Sequence, residues 1–338
     1  MRAERLVCAC FIGDHRRRPA LTPTLSHRER GQGRLLKQLL SQQNRLRPSG
    51  QPIIATMLEL SRTVRFCVND PAPPGTAALG AGDAASHNTF AARPPMRGLG
   101  RYYELDVTCR GEADPQTGYF INIKQIDKAV HSYALPCISQ ALFGQEGSTR
   151  PPVGRLMSEM LSILQPELGG SVAMLVLGLT PTYSIAMRSE DMDHILIRQR
   201  YEFSAAHRLH VPGLSDQENR DIFGKCNNPA GHGHNYQVEV AVRLPIDHDG
   251  RTVEVEQIDA IVNQHAIERL DHTHLNTDVP EFADLNPSVE NIVKVIWGML
   301  ADKFDGFGPD TKLQELKVWE TSKTVCCYRG PGTLEKAH

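Results

Sequence analysis

An internal repeat limits the folds available to this chain more than any other feature of its sequence. Residues 98–107 read GLGRYYELDV and residues 231–240 read GHGHNYQVEV, an offset of 133. Residues 118–127 (GYFINIKQID) and 250–259 (GRTVEVEQID) match at an offset of 132, which a single deletion in the intervening turn explains. Self-similarity at a fixed period is typical of tandem modules. The sequence therefore predicts two copies of one structural unit.

These two copies account for most of the chain. We place them at 57–192 and 193–338, with the charged stretch Arg188–His194 as the junction. Residues 1–56 carry 11 Lys and Arg against 3 Asp and Glu, but they show neither helical periodicity nor interleaved aromatic residues. Nucleic-acid binding is therefore not predicted, and the absence of a small-residue cleavage site argues against a signal peptide. We expect a disordered basic extension, with Met57 as the candidate true start.

The second copy has the pattern of an α+β unit. Residues 236–244 alternate apolar and polar side chains as a half-buried strand does, and apolar residues from Ile258 to Leu270 follow helical spacing. A second helix begins near Ser288, a suitable N-cap. Its inner face would consist of Ile292, Val295, Ile296, Met299 and Leu300. The other strands are predicted at Ile195–His207, Thr252–Val255 (a hairpin with 236–244), Leu313–Thr321 and Thr324–Arg329. The order β-β-α-α-β-β predicts a four-stranded antiparallel sheet with two helices on one face in each module.

The composition is that of an ordinary globular protein. Of the 338 residues 40% are hydrophobic, and no apolar run approaches the roughly 20 residues that cross a bilayer. The eight cysteines include no CxxC pair and no spacing typical of a disulfide scaffold. We therefore predict free thiols in a reducing compartment, a cytoplasmic location, and neither a membrane nor nucleic acid as a partner.

Three histidines of the second copy form a candidate metal site. His232 and His234 are two residues apart in FGKCNNPAGHGHNY (223–236), so on an extended segment both imidazoles project from the same face. A third, His207, ends the preceding predicted strand. Three neutral imidazoles without a fourth protein ligand would leave a zinc ion one open position, as in catalytic sites. The alternative is a pair of surface histidines in a glycine-rich turn.

Four other residues of this copy are candidates for chemistry. Cys226, in a Gly/Asn/Pro loop, could be a fourth metal ligand, a small buried side chain or a catalytic thiolate. Asp271 and His272 follow the first helix, either as a solvated helix end or as a proton relay. Glu320 lies inside an apolar strand, where it either faces solvent or is buried and accepts paired hydrogen bonds from an amidine-like edge such as that of a pterin. Alternation alone does not decide between these.

Together these motifs resemble one known family. FGKCNNPAGHGHNY, with FSAAHRL before it and LDHTHLN, PSVENI and VWET after it, resembles the 6-pyruvoyltetrahydropterin synthase family and the related 6-carboxytetrahydropterin synthases. The resemblance covers about 195–332. It implies a tunnelling fold (T-fold), in which the sheets of several subunits join into a ring-shaped barrel, two rings stack, and active sites form between subunits.

The resemblance also implies a role for each motif residue. The zinc ligands would be His207, His232 and His234, the catalytic base Cys226, the proton relay Asp271 and His272, the pterin anchor Glu320, and two further pterin-site residues Glu290 and Ser288. The family often has Thr where this chain has Ser288, so the hydroxyl is retained. One Zn²⁺ per chain is implied, in the second copy alone, and whether Mg²⁺ accompanies the triphosphate is left open.

The reaction implied by the resemblance starts from 7,8-dihydroneopterin triphosphate. Elimination of triphosphate and an internal redox tautomerisation would give 6-pyruvoyltetrahydropterin, for tetrahydrobiopterin biosynthesis, without an external redox cofactor. Five residues separate Cys226 from His232, as in the pyruvoyl-forming enzymes, whereas carboxy-forming enzymes of the queuosine pathway typically have a shorter spacer. The alternatives are a 6-carboxytetrahydropterin synthase acting on the same substrate, and a non-catalytic scaffold that binds zinc or a pterin.

The first copy lacks every one of these chemical residues. The counterparts of His207, Cys226, His232, His234, Asp271–His272 and Glu320 are Asp70, about Arg93, Leu99, Arg101, Ser139–Gln140 and Leu179. We therefore expect a degenerate, non-catalytic module that fills alternate positions of the ring, so that three two-module chains take the place of six subunits. This predicts a homo-oligomer, either a trimer or a dimer of trimers.

Overall fold

The computed structural model of the protein describes residues 57–70, 88–144 and 150–332. The basic extension predicted for 1–56 lies outside the described residues. In both halves of the described chain two long strands are followed by a group of helices and then by two more strands. The first half contains β1 (Met57–Val68), β2 (Arg101–Glu112), α1 (Ile123–Ala129), α2 (Leu135–Phe143), α3 (Val153–Glu167), β3 (Val172–Gly178) and β4 (Tyr183–Arg188). A π turn, Val130–Ala134, joins α1 to α2.

The second half repeats this order with additional short elements. Its main elements are β5 (Asp191–His207), β6 (His232–Pro245), α5 (Val255–Val262), α8 (Val289–Leu300), β8 (Lys312–Thr321) and β9 (Thr324–Tyr328). The short ones are α4 (Asp216–Phe223), α6 (Glu268–Leu270), β7 (Thr273–His274) and α7 (Leu275–Asp278). A π turn at Asn263–Ile267 joins α5 to α6, 133 residues after the π turn of the first half, which is the offset of the sequence repeat.

All eight long strands belong to one antiparallel sheet in the order β1-β2-β3-β4-β5-β6-β8-β9. The predicted junction, Arg188–His194, contains the two-residue hairpin turn between β4 and β5 and the first residues of β5, so the sheet continues from one half into the other. The two-residue strand β7 pairs in parallel with Ala205 and Ala206 of β5. The α+β class with antiparallel pairing is therefore confirmed. Strands β1 and β9 are the two edges of the described sheet.

One face of the sheet is covered by the helices, because alternate strand residues are apolar. In β6, Tyr236, Val238, Val240 and Val242 are fully buried against this core. The repeated QID segment ties the first helix of each half to its first strand. Arg62 donates two hydrogen bonds to Asp127 at 2.9 and 2.8 Å, and the Tyr201 hydroxyl donates one to Asp259 at 2.7 Å.

Most second-copy predictions agree with these elements, but one strand was wrong. Thr252–Val255 is not a strand: Glu254 is the N-cap of α5, and its capping box with Gln257 commits the segment to a helix start. The helix α4 was not predicted. The six cysteines of the described residues are all free, as predicted. In the part of the chain that the structure describes, none of the helices combines the length and the apolar character needed to cross a membrane.

Candidate metal centre

Two neighbouring strands bring the three predicted histidines together. His207, the last residue of β5, pairs directly with His232, the first residue of β6. His234 pairs with Ala205, two residues earlier on β5. Since residues two apart on a strand share a face, all three imidazoles lie on the helix-covered side of the sheet. The expectation from the HxH spacing is met by this register.

His207 is held as a neutral imidazole with a defined tautomer. Its side chain is fully buried, and its Nδ1 lies 2.7 Å from the carbonyl oxygen of Pro287, just before α8. A carbonyl only accepts, so Nδ1 carries the proton and Nε2 keeps its lone pair. Burial lowers the pKa of His207 to about 4. This is the state that a metal ligand requires, with an outer carbonyl orienting the ring.

The three rings converge on one point. The Nε2 atoms of His207 and His232 are 3.1 Å apart, and the ring centroids are separated by 4.5 to 5.2 Å. Two ligands of a tetrahedral zinc ion lie about 3.3 Å apart, so this nitrogen spacing fits zinc. The Nε2 of His234 is buried and has no hydrogen-bond partner among the described residues. A bound cation would give this nitrogen a ligand interaction in place of a hydrogen bond. Burial also lowers the pKa of His232.

Glu320 lies beside this cluster rather than in solvent. Its Oε1 is 3.5 Å from Nε2 of His207 and 3.8 Å from Nε2 of His234, and its side chain is 22% exposed. The register of β8 against β6 places it on the helix-covered face, next to Tyr236. The question that strand alternation left open is therefore answered. The carboxylate can bind a donor edge at the mouth of the cluster.

Cys226 lies near the cluster without joining it. It is half-buried in a 3₁₀ turn, Gly224–Asn227, and its backbone carbonyl accepts a hydrogen bond from Leu209. In the described chain, the side chains whose ligand atoms lie within 4.8 Å of one another at this site are the three histidines, without Cys226. Because Cys226 is outside this group, the three histidines would leave one position of a tetrahedral ion without a protein ligand.

Tyr236 is a site residue that the motif analysis missed. Burial raises the pKa of its hydroxyl, with further contributions from Glu320 and Cys226, so both groups lie near it. Its buried oxygen has no hydrogen-bond partner among the described residues. Tyr236 follows His234 by two residues, and the alternation that paired His232 with His234 could have identified it.

Asp271 and His272 form a hydrogen-bonded pair at the surface. Nδ1 of His272 lies 2.8 Å from Asp271, and the His272 side chain is 85% exposed. Neighbouring residues can pair in this way because His272 has φ of 57°, a left-handed conformation that turns its ring back. The backbone amide of Ser204 donates to Asp271, which together with His272 lowers the pKa of that carboxyl.

Ser288 and Glu290 lie at the start of α8. Ser288 occupies the predicted N-cap position, but its side chain makes no capping hydrogen bond. Its hydroxyl instead bonds the exposed Glu290, lowering the pKa of that carboxyl. Pro287, whose carbonyl orients His207, immediately precedes them. The start of α8 therefore orients His207 through the Pro287 carbonyl, and Ser288 and Glu290 follow directly in the chain.

The strand register identifies the first-half counterparts of this site. Glu104 of β2 pairs with Gly178 as Gln237 of β6 pairs with Trp319, so Leu179 corresponds to Glu320. By the same 133-residue offset Leu99, which is 95% exposed, corresponds to His232. Across the described residues before β5, no group of three His, Cys, Asp or Glu side chains is positioned to hold a metal.

A second acidic group lies in the turn after β6. Asp247, His248 and Asp249 are close enough to hold a cation, but the first two are exposed. Asp247 already accepts hydrogen bonds from the backbone amides of Asp249 and Arg251, which accounts for its place in the turn.

Comparison with known proteins places this site in a described family. The family model described as 6-pyruvoyl tetrahydropterin synthase matches residues 196–331. The chain is 43% identical over 139 residues to the 6-pyruvoyl tetrahydrobiopterin synthase of Drosophila melanogaster, covering 41% of this chain and 81% of that protein. It is 40% identical over 135 residues to the Homo sapiens protein of the same name, covering 40% of this chain and 90% of that protein. The solved structure of 6-pyruvoyl tetrahydropterin synthase from Caenorhabditis elegans matches at 32% identity with a TM-score of 0.37, over 40% of this chain and 96% of that one.

Proposed function

This chain belongs to the 6-pyruvoyl tetrahydropterin synthase family and is a lyase of that type, and we propose that residues 193–338 convert 7,8-dihydroneopterin triphosphate to 6-pyruvoyltetrahydropterin. The family match lies within this half of the chain. The observation that carries the proposal is the convergence of the buried His207 with the half-buried His232 and His234, whose ring nitrogens form an open three-nitrogen site.

The three histidines would hold Zn²⁺. When bound there, the ion would act as a Lewis acid towards the hydroxyls of the substrate side chain. The hydrogen bond from Nδ1 of His207 to the Pro287 carbonyl holds the His207 ring in this orientation before any metal binds. Glu320, at the mouth of the cluster, would accept hydrogen bonds from the 2-amino and N3–H groups of the pterin. Ser288 and Glu290 would lie against the same ring system.

The remaining chemistry is proton transfer. The Cys226 thiolate would remove a carbon-bound proton from the substrate side chain, and its half-buried position outside the metal set leaves it available as a base. The Asp271–His272 pair would carry protons to and from the site. Because His272 is exposed in the single chain, it is accessible to a site completed by a neighbouring subunit.

We further propose that the two halves are tandem T-fold modules, the first of them non-catalytic. Three observations support this proposal. The two halves share an arrangement of strands and helices, and their π turns lie 133 residues apart. Among the described residues, the first-half positions do not bring together side chains that could hold a metal. The open edges of the sheet, β1 and β9, would pair between copies to close a ring.

Product analysis tests the proposed reaction. Purified protein is incubated with 7,8-dihydroneopterin triphosphate, and the zinc content of the same sample is measured. We expect about one zinc per chain, triphosphate release and 6-pyruvoyltetrahydropterin, with turnover lost and zinc retained in Cys226→Ala. Release of acetaldehyde would identify the 6-carboxytetrahydropterin reaction instead. Zinc binding without turnover of this substrate would contradict both activities and favour a scaffold.

A further inference from the structure

A second cavity lies far from the metal centre, where the two halves of the sheet meet. It has a volume of about 670 Å³ and is lined by residues of β3, β4, β5, β6 and β8. Its strand residues Arg198 and Arg243 alternate with the buried residues of the core, which places the cavity on the face of the sheet without helices. His194, at its edge, is thirteen residues from His207 on the same strand, about 40 Å in an extended chain.

The lining of this seam cavity is strongly cationic. Its positive side chains are Arg188, Arg198, Arg243, Lys312, Lys317 and Arg329. Three carboxylates, Glu190, Asp191 and Glu315, leave an excess of three positive charges, in a chain whose formal net charge is −2. An excess of this sign inside a concave, partly desolvated surface favours an anionic ligand.

The carboxylates of the cavity hold its cations in place. Asp191 is bound by Arg243 and by His194, at 2.9 and 2.7 Å. Glu315, with a side chain only 11% exposed, is bound by Lys317 at 3.2 Å and by Arg329 at 2.7 Å. Each of these two carboxylates therefore orders two neighbouring groups. Lys317 is held further by Glu239, at 2.9 Å.

Two further cations have no such partner. Arg198 and Lys312 make no ion pair with a carboxylate among the described residues, and the buried Nε of Arg198 has no hydrogen-bond partner there. Arg198 is flanked in register by Ser184 on β4 and Ala241 on β6. Neither of these neighbours carries a carboxylate. A buried donor without an acceptor is costly unless a ligand supplies one.

We propose that the seam cavity binds an inorganic oligophosphate. Guanidinium and ammonium groups are matched to phosphate oxygens, and several of them converge here. Apart from His194, which Asp191 and Arg243 already engage, no aromatic side chain lines the cavity, so it offers a nucleobase nothing to stack on. The site does not depend on the lyase activity, although the reaction proposed above releases triphosphate.

Calorimetric titration of the full chain with inorganic triphosphate at low ionic strength tests this site. The titration uses the His232→Ala background, so that the metal centre does not contribute. We expect saturable binding, weakened at least about tenfold by Arg198→Gln and also by the surface change Lys312→Gln, which leaves the core intact. Lys124→Gln, an exposed cation on α1, is the matched control and should leave Kd unchanged.

Four outcomes would overturn the proposal. Triphosphate that does not bind, or that binds equally to Arg198→Gln and Lys312→Gln, excludes the seam cavity as its site. An equal loss in Lys124→Gln would indicate general attraction to surface charge. ATP binding tenfold tighter than triphosphate would show that a nucleobase is recognised. Because every titration uses protein without the metal centre, failure here leaves the proposed lyase reaction untouched, and loss of that reaction leaves this result untouched.

Discussion

The three histidines and Glu320 share one small volume but are expected to bind different partners. Replacing His232 with Ala removes one of three converging nitrogens, so zinc content should fall to well below half an equivalent, because two imidazoles bind much more weakly. Replacing Glu320 with Gln should leave zinc in place and weaken pterin binding about tenfold or more, through loss of a charged acceptor. Metal analysis and pterin titration measure the two effects.

The exposed His248, replaced with Ala, is the control for the histidine change. If Glu320→Gln lost zinc together with His232→Ala, Glu320 would be a fourth ligand instead of a pterin anchor.

Acid should destabilise the metal-free protein through His207. Its pKa is about 4 in the folded chain because the ring is buried, against about 6.5 when unfolded. Between these values the unfolded chain binds a proton that the folded chain does not, so the free energy of unfolding should fall as pH drops from 6.5 to 4. The full effect is on the order of 3 kcal/mol, and His232, shifted in the same direction, adds to it.

Urea unfolding of apoprotein at several pH values in this window measures the slope. His207→Gln should reduce it, and an unchanged slope in that variant would show that other groups are responsible. Carboxyl groups with a lowered pKa, such as Asp271, lose their stabilising contribution below about pH 5, so the slope between pH 6.5 and about 5 is the part that reports on the histidines.

At the residue scale, spacing predicted the side chains but not what orients them. The HxH pattern needs only strand geometry, so His232 and His234 were predictable. The Pro287 carbonyl that fixes His207 was not, because an acceptor eighty residues away leaves no local signal in the sequence. The pairing of Asp271 with His272 depends on the left-handed backbone conformation of His272, and the residue type alone does not predict that conformation.

At the scale of elements, the turn into β6 aligns the metal ligands. Gly231 has φ of +73°, and a Cβ there would lie 2.8 Å from Nε2 of His274 and 3.1 Å from the carbonyl oxygen of His207. Gly231→Ala should therefore lower the free energy of unfolding by about 1 kcal/mol or more. It should also weaken metal binding, because it displaces the first residues of β6. Thermal unfolding and zinc titration measure both.

Gly233 offers a matched control two residues later on the same strand. A Cβ at Gly233 would meet only the Ala205 carbonyl oxygen, at an ordinary 3.5 Å. Gly233→Ala should therefore leave zinc affinity close to that of the parent chain. Equal losses in the two variants would show that general strand strain, not the Gly231 turn, is the cause.

Elements with a strong apolar period were predicted, and those without one were not. The helix α8 buries Ile292, Ile296 and Leu300, a stripe that is visible in the sequence. The helix α4 is polar on nearly every side and owes its start to the Ser215–Glu218 capping box, so no apolar stripe marks it. Thr252–Val255 alternates like a strand, but the capping box between Glu254 and Gln257 commits the segment to the start of helix α5.

At the scale of the whole molecule, one sheet is shared by two halves, and among the described residues the candidate metal centre lies in the second. The continuous register through the β4–β5 hairpin makes the first half part of the same structural unit as the second. The sequence repeat predicted two modules. It could not show that their sheets join, because the joining hairpin has the same charged, polar composition as any surface linker.

The open edges of this sheet predict how copies assemble. Exposed apolar side chains lie on both edge strands, Met57 and Leu58 on β1 and Val325 on β9. An edge of this kind invites pairing with another strand, and pairing β1 of one copy with β9 of the next would continue the antiparallel order until a ring closes. Val325→Asp places an unpaired charge at this contact, so its sedimentation mass should fall towards one chain.

Ile222→Asp, at an exposed apolar residue of α4 and outside both edge strands, should keep the parental mass. The parental mass itself counts the chains in the ring and tests the expected trimer or dimer of trimers. A parent protein that sediments as a stable monomer would contradict edge pairing, and with it any site completed between copies. In that case the exposed His272 would need another route to the metal centre, which makes the mass of the parent chain a direct constraint on the proposed mechanism.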